Sequence, residues 1–264
     1  MFLTTNELKD IGMLLSERLK VDYLNFNDGF FRRRLDYMFE KMNFHRVQDL
    51  QNALCSLVSF DEITYRMSVP QTEMFRFPSF WRQLKKNIAN KNGLRIWIPC
   101  LTSYHELYSL SVILDLAECS NWSIRANVVS DIITRKVKQN LMSRKNEQVD
   151  KQNFDRLESG HAPEDYFTTT PEGPAIRPNL IKNVTFVNGW FLNIPPNDKF
   201  DLVIMRDTLL CYNKELHIKA LQCIADTLEG PNALLCIGPN ERPLGIEERL
   251  VAENPEVGIY RLKN

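Results

Sequence analysis

Polar and charged side chains follow four short apolar runs of this sequence, each at the point where a run ends. The four groups are Thr102-Ser103 with His105-Glu106, then Ser130-Asp131, then Asn188-Gly189-Trp190, and finally Arg206-Asp207. If these runs are parallel strands, their carboxyl ends meet at one edge of the sheet, where open α/β sheets bind ligands. The spacing therefore predicts a ligand site at that edge.

Two acidic residues in these groups suit a nucleoside ligand with a charged tail. Asp131 ends the second run, where a carboxylate can accept hydrogen bonds from both hydroxyls of a ribose. An alternative is that Asp131 caps a helix that begins near Ile132. Glu106 could bind a cationic amino group of the ligand, or it could be an acidic residue favoured in the first turn of a helix.

The loop after the first run contains no glycine. Its sequence runs from Leu94 to Ser109 and places Cys100 and Tyr104 in a strand-to-helix connection. A loop that approaches a ligand closely favours residues without Cβ. The loop therefore indicates the fold of a nucleotide-binding domain without its usual glycines. No histidine or cysteine spacing is typical of a metal site, so we expect none.

The elements that would position these residues alternate between strands and helices from residue 94 onward. Short β-rich runs at 94–98, 124–129, 184–187, 202–205, 233–237 and 257–262 are separated by helical segments that include 106–118 and 214–228. This alternation predicts an α/β domain with a doubly wound, mostly parallel sheet, over residues 67–264.

The first 66 residues read as a small all-α domain. Thr4 and Glu7 form a capping-box pattern, a second helix begins near Asp28, and helical spacing continues through residues 47–57. A linker follows around Pro70. Residues 140–182 are polar and rich in proline, and they form an insertion that is either a mobile loop or a small subdomain.

The charge balance, the lengths of the apolar runs and the cysteine pattern argue against a nucleic-acid-binding protein, a membrane-spanning protein and a disulfide-rich protein. The 264 residues carry 33 basic and 33 acidic side chains, so no global charge favours nucleic acid. No run approaches the ~18 apolar residues of a membrane span, and we expect a cytoplasmic protein without membrane insertion. The six cysteines are scattered singly, which predicts buried free thiols.

Taken together, these segments resemble the chemotaxis receptor methyltransferases of the CheR family over nearly the whole chain. Residues 72–76 (TEMFR) are similar to the family's T-x-F-F-R segment, and residues 200–207 to its fourth strand, which ends in R-N. Residues 238–241 (GPNE) resemble its G-H-S-E, residues 257–261 its last strand, and residues 26–35 its N-terminal domain.

The resemblance implies a Rossmann-like methyltransferase fold that uses S-adenosylmethionine to esterify glutamate side chains of chemoreceptors. It implies a protein partner, a chemoreceptor or signalling protein. Position by position, it makes Arg76 and Arg206 the residues that orient the carboxylate and the cofactor. The cofactor-binding residues that it implies are Thr72, Glu106, Asp131 and Asp207, with Asp131 on the ribose.

The sequence also departs from the family pattern at several of these positions. The two loop glycines fall on Cys100 and Tyr104, and the asparagine of R-N is Asp207. The asparagine after the third strand aligns with Trp190, and a family tyrosine falls on Cys211, with Tyr212 one place along. Two hypotheses follow: an active protein-glutamate O-methyltransferase, or a catalytically inactive relative that serves as a protein-binding or regulatory module.

Overall fold

The structure is a computed structural model that describes residues 4–263. The helices, in chain order through these residues, are α1 (Thr5–Leu19), α2 (Asp28–Met42), α3 (Val47–Ala53), α4 (Leu57–Met67), α5 (Pro78–Ile88), α6 (Tyr104–Leu116), α7 (Asp131–Lys138), α8 (Glu147–Asp155) and α9 (Lys214–Ala225). The strands are β1 (Arg95–Ile98), β2 (Ser123–Val128), β3 (Phe167–Thr170), β4 (Gly173–Ile176), β5 (Val184–Asn188), β6 (Leu202–Met205), β7 (Leu234–Ile237), β8 (Leu250–Asn254) and β9 (Ile259–Leu262).

The large sheet has the order β5-β2-β1-β6-β7-β9-β8. Pairing is parallel from β5 to β7, and β9 runs antiparallel to both of its neighbours. The predicted doubly wound, mostly parallel sheet is therefore confirmed. The direction of winding reverses between β1 and β6, and such a reversal opens a crevice at the carboxyl ends of the strands.

Helices cover both faces of this sheet. One face packs against α9 and the N-terminal helices, and its core joins Leu15 of α1 and Met38 of α2 to Trp97 of β1 and Val203 of β6. The other face packs against α5, α6, α7 and α8. The central strands β6 and β7 are short and apolar, as expected of strands that are buried on both sides.

The N-terminal helices begin where the sequence predicts. The Thr4 hydroxyl accepts the N–H of Glu7 at 3.3 Å, and the Glu7 carboxylate accepts the N–H of Thr4 at 2.8 Å, so the predicted capping box is confirmed. Helix α4 ends at Met67, one residue beyond the predicted domain boundary. These helices share a continuous core with the sheet, and the domain division at residue 66 stays a prediction about the chain.

The insertion at residues 140–182 forms helix α8 and the antiparallel hairpin β3–β4. Phe154, Tyr166 and Ile176 from this segment are buried against the α5–α6 side of the protein. The segment thus has regular secondary structure that packs on the main core, and its standing as a separate subdomain stays a prediction.

In the part of the chain that the structure describes, the cysteines form no disulfide bonds, and the helices are not suited to cross a membrane. All six cysteines are free, as expected, but only Cys236 is buried and Cys55 is exposed, so the expectation of buried thiols was wrong for most of them. Within residues 4–263, every helix is too short or too polar to span a bilayer.

Candidate functional site

A cavity of about 200 Å³ lies at the carboxyl ends of β1, β2, β5 and β6. Its polar wall comes from the loops after the strands and from the segment before α5, and it includes Thr72, Arg76, Thr102, Glu106, Arg206 and Asp207. Its apolar wall comes largely from the N-terminal region and includes Tyr23, Phe26, Phe30, Met67, Trp190 and Tyr212. The edge predicted from the sequence therefore holds a cavity, and five of the six predicted site residues line it.

Arg206 and Glu106 form a buried ion pair at the base of the cavity. The Arg206 Nη1 and Glu106 Oε1 atoms are 3.7 Å apart, and the two side chains are 1% and 6% exposed. The guanidinium carbon lies 4.1 Å from the ring centre of Phe80 and 5.2 Å from that of Trp81, and Nη2 donates to the carbonyl of Arg76 at 3.0 Å. Arg206 therefore holds in place both the Glu106 carboxylate and the backbone at Arg76.

One oxygen of the Glu106 carboxylate on the cavity wall lacks a hydrogen bond, although it faces the Arg206 guanidinium. Its Oε1 atom is buried and has no hydrogen-bond partner. Burial raises the pKa of Glu106 to about 7, although the nearby Arg206 and a hydrogen bond from Gln71 lower it. A buried carboxylate oxygen without a donor is costly, so this atom suits a donor that a ligand brings.

The segment that carries Thr72 and Arg76 has an unusual backbone. Phe75 and Phe77 have φ angles of 50° and 58°, in the left-handed region that bulky residues rarely adopt. The Phe75 N–H donates to the Ser109 hydroxyl at 2.8 Å, and the Arg76 carbonyl accepts from the Trp81 indole at 3.1 Å. Bonds to α5 and α6 thus hold the two left-handed residues in place, and Arg76 points its side chain into the cavity.

Helix α8 of the insertion also holds this segment. Asn146, just before α8, donates to the Thr72 carbonyl at 2.6 Å. Asp150 Oδ1 accepts the Met74 N–H at 2.7 Å, and Asn153 donates to the Met74 carbonyl at 2.9 Å. The insertion is therefore connected by hydrogen bonds to the cavity wall.

Asp207 is positioned by a buried acid that the sequence analysis did not assign. Asp207 has φ 60°, and its N–H donates to Glu241 at 3.0 Å, while the N–H of Leu210 donates to the other oxygen of Glu241 at 3.2 Å. Burial raises the pKa of Glu241 to about 7. The Asp207 carboxylate lies 3.7 Å from Arg76 Nε. Glu241 thus ties the loop after β7 to the loop after β6.

Gly238→Ala is expected to disturb this arrangement. A Cβ at Gly238 would lie 2.5 Å from Asp207 Oδ1 and 3.0 Å from Glu241 Oε2, so both carboxylates must shift. We expect the free energy of unfolding, measured by urea denaturation, to fall by about 1–3 kcal/mol. Gly29→Ala is the control, because its Cβ would meet only ordinary contacts of 3.5 Å or more. Equal stability of the two variants would contradict the arrangement.

The two residues at the family's glycine positions do not close the cavity. Neither Cys100 nor Tyr104 has a positive φ, so the backbone conformation at these positions does not require glycine. Cys100 forms part of the cavity wall. The Tyr104 ring stacks on His105 with centres 4.0 Å apart, and its hydroxyl accepts the N–H of Ser143 at 2.8 Å. Tyr104 therefore points toward the insertion, away from the cavity.

Asp131 is the one predicted site residue that does not line the cavity. It is exposed at the start of α7, where its carboxylate accepts from the Asn188 amide at 2.6 Å and its N–H donates to Asp61 at 2.9 Å. The capping alternative was wrong, because Ser130 is the N-cap and its hydroxyl accepts the N–H of Ile132. The ribose role of Asp131 stays a prediction.

The aromatic wall is the main part of the site that sequence reasoning missed. Phe26 packs on Tyr212 with ring centres 5.1 Å apart, so the N-terminal region and the loop after β6 meet at the cavity. The sequence signals for this wall were Trp190, which follows the third run, and Tyr212, which lies beside the family's tyrosine position. Among residues 4–263, no cluster of histidine, cysteine, aspartate or glutamate is arranged to hold a metal.

Comparison with known proteins connects this site to a family. Residues 70–255 match the family model described as "CheR methyltransferase, SAM binding domain". The chain is 22% identical over 214 residues to "Putative methyltransferase Cher3" of Pseudomonas putida, with 78% of each protein covered. It is 24% identical over 228 residues to a 104.1 kDa protein of Rhodobacter capsulatus, of which it spans only 23%.

Among solved structures, the chain is similar to an S-adenosylmethionine-dependent methyltransferase from Thiobacillus denitrificans. That likeness has a TM-score of 0.36 and 13% identity, and it covers 61% of this chain and about half, 48%, of the other. The family assignment rests on the sequence match instead. Because the match takes in well over half of the residues, the chain belongs to the CheR methyltransferase family and carries its S-adenosylmethionine-binding domain.

Proposed function

We propose that this chain binds S-adenosylmethionine in the cavity and transfers its methyl group to a glutamate side chain of a protein partner, a chemoreceptor or signalling protein. The observation that carries the proposal is the buried carboxylate of Glu106 on the cavity wall, whose Oε1 atom makes no hydrogen bond and lies 3.7 Å from Arg206 Nη1. This atom suits the ammonium group at the amino-acid end of the cofactor. It lies in a domain of the family to which the chain belongs.

The other residues of the cavity fit the same cofactor. Thr72, Thr102 and Asp207 bring hydrogen-bonding groups to the polar wall, while Trp190 and Tyr212 offer aromatic surface to a planar base. Asp131 lies just beyond the wall, two residues after Val129, and would accept the ribose hydroxyls.

The mechanism needs positioning rather than a strong base. When bound, S-adenosylmethionine supplies a methyl group made electrophilic by its sulfonium. A glutamate side chain is already ionised near neutral pH, so no residue has to remove a proton from it. Arg76 would orient this carboxylate in line with the methyl group. Arg206 donates a hydrogen bond to the backbone carbonyl of Arg76, which holds Arg76 in position. Arg206 also provides the counter-charge for the buried Glu106 carboxylate.

One observation favours the second candidate, a catalytically inactive relative that binds a protein partner. Both arginines of the cavity already have carboxylate partners, since Arg206 faces Glu106 and Arg76 lies 3.7 Å from Asp207. An acceptor carboxylate would therefore compete with Asp207 for the Arg76 guanidinium. A family member in which this exchange fails would keep the cavity without transferring a methyl group.

Calorimetric titration with S-adenosylhomocysteine tests the proposal. We expect saturable binding by the full chain, and unchanged binding by Tyr104→Phe, because Tyr104 lies off the cavity wall. No heat at millimolar ligand, which means a binding free energy weaker than about −4 kcal/mol, would overturn cofactor binding. Methyl transfer from labelled S-adenosylmethionine to a glutamate-bearing chemoreceptor fragment then separates the two candidates.

Asp131→Ala tests the ribose prediction in the same titration. We expect the affinity for S-adenosylhomocysteine to fall about tenfold or more, because two hydrogen bonds to a charged acceptor are lost. Asn188→Ala removes the present partner of the carboxylate and serves as the control, for which we expect equal or tighter binding. Unchanged affinity of Asp131→Ala would refute the ribose role.

A further inference from the structure

A second cavity of about 360 Å³ lies between α8 and the hairpin β3–β4. None of its lining residues belongs to the wall of the first cavity. Met142, Phe167 and Pro174 give it an apolar side, and Asp150 faces them from α8. The methyl-transfer mechanism makes no use of this space.

One carboxylate oxygen of Asp150 accepts a hydrogen bond, and the other has no hydrogen-bond partner. The residue is 4% exposed, and its Oδ1 accepts the N–H of Met74 at 2.7 Å. Its Oδ2 is buried and has no hydrogen-bond partner. Burial raises the pKa of Asp150 to about 6. The Oδ2 atom therefore lacks a donor, and a cation beside it would supply both a donor and a counter-charge.

The cations that line this cavity have other partners. Lys151 Nζ lies 3.0 Å from the Glu147 carboxylate, one turn earlier on α8. Arg177 donates to the backbone carbonyl of Glu164 at 2.9 Å. The five charged groups of the wall are Glu147, Asp150, Glu164, Lys151 and Arg177, which leave one net negative charge. A ligand with a single positive charge would neutralise the cavity.

We propose that this cavity binds a small alkylamine, with its ammonium group on Asp150 Oδ2 and its alkyl chain along Met142, Phe167 and Pro174. One free carboxylate oxygen facing an apolar wall suits an ammonium on a hydrocarbon chain better than a metal ion, which needs several oxygen ligands. The inference is independent of methyl transfer, because it concerns a separate cavity and a different ligand.

Binding at Asp150 would be transmitted to the first cavity. An ammonium beside Oδ2 favours the ionised carboxylate, and a charged acceptor strengthens the hydrogen bond from the Met74 N–H. Met74 lies two residues before Arg76, in the segment that α8 holds. The ligand would therefore hold this part of the cavity wall more firmly.

The test compares n-pentylammonium with 1-pentanol, which has the same chain without the charge. We expect the full chain to bind n-pentylammonium at pH 7.5, detected by calorimetry or NMR shifts of α8 amides, at least about tenfold more tightly than 1-pentanol. We also expect slower hydrogen exchange of the Met74 amide when n-pentylammonium is bound. Equal binding of the two probes, or no binding, would overturn the proposal.

Two variants locate the binding. Asp150→Asn keeps an oxygen for the Met74 N–H but loses the charge, so we expect the preference for n-pentylammonium over 1-pentanol to disappear while the thermal melt stays cooperative. Met142→Trp places a larger side chain on the cavity wall and leaves the Asp150 carboxylate in the sequence, and we expect it to abolish binding. Undiminished n-pentylammonium binding by either variant would place the amine elsewhere and refute the site. Neither readout depends on S-adenosylhomocysteine, so failure here is distinct from failure of the proposed function.

Discussion

Replacing Arg206 with methionine is expected to lower the free energy of unfolding by about 3–5 kcal/mol, the range for breaking a buried ion pair by removing one partner. The substitution leaves Glu106 buried without its counter-charge and leaves the Arg76 carbonyl without the Nη2 donor. It also removes the cation that stacks on Phe80 and Trp81. Urea denaturation followed by circular dichroism at pH 7.5 gives the measurement.

The double variant Arg206→Met with Glu106→Gln is the matched control. It leaves no charge buried at the pair, so we expect it to recover a large part of the stability lost in Arg206→Met alone. A loss below about 1 kcal/mol in the single variant is typical of an exposed pair and would contradict the buried geometry. Equal instability of the single and double variants would assign the effect to the lost aromatic stacking and the lost hydrogen bond to the Arg76 carbonyl instead.

Glu106→Gln is expected to weaken S-adenosylhomocysteine binding about tenfold or more at pH 7.5, since an ammonium bound to a carboxylate loses its charged partner. The wild-type affinity should itself depend on pH. Burial raises the pKa of Glu106 to about 7, so the ionised form grows as pH rises through that value. The ligand's amino group stays largely protonated over the same range. Wild-type affinity should therefore rise between pH 5.5 and about 7.5.

Glu241→Gln distinguishes Glu106 from a second acid near the first cavity whose pKa is also raised to about 7. Burial also raises the pKa of Glu241 to about 7, but its oxygens accept backbone N–H groups away from the ligand. We expect calorimetric titrations across pH to show the rise in affinity in Glu241→Gln and a flat profile in Glu106→Gln. A rise that persists in Glu106→Gln would remove Glu106 from the binding site.

Much of the fold was predictable because the central strands are buried on both faces. Residues 202–205 are a continuous apolar run, and the structure places β6 at these positions. Strand β8 was not predicted, because it lies at the edge of the sheet, where two of its residues are exposed and its pattern is weak. Strand β4 contains Pro174, which argues against a strand in sequence but is tolerated in a two-stranded hairpin.

The polar half of the candidate site was also predictable, because its residues follow strands whose ends meet. Thr72 and Arg76 came from the family resemblance and reach the cavity through a segment with two left-handed residues, a geometry that no local pattern indicates. The aromatic half was not predictable, since Tyr23 and Phe26 reach the cavity only through tertiary packing of the N-terminal region. For Asp131, the position in the sequence did not predict the partner of the side chain. The residue follows the expected strand, but its carboxylate accepts a hydrogen bond from Asn188.

The continuous core between the N-terminal helices and the sheet has a thermodynamic consequence. Leu15 and Met38 are fully buried in the same cluster as Trp97, so detaching these helices would expose the indole and its neighbours to water. Such exposure is unfavourable in proportion to the apolar area that is uncovered. We therefore expect the N-terminal helices and the sheet to unfold together, in a single transition of the urea denaturation curve.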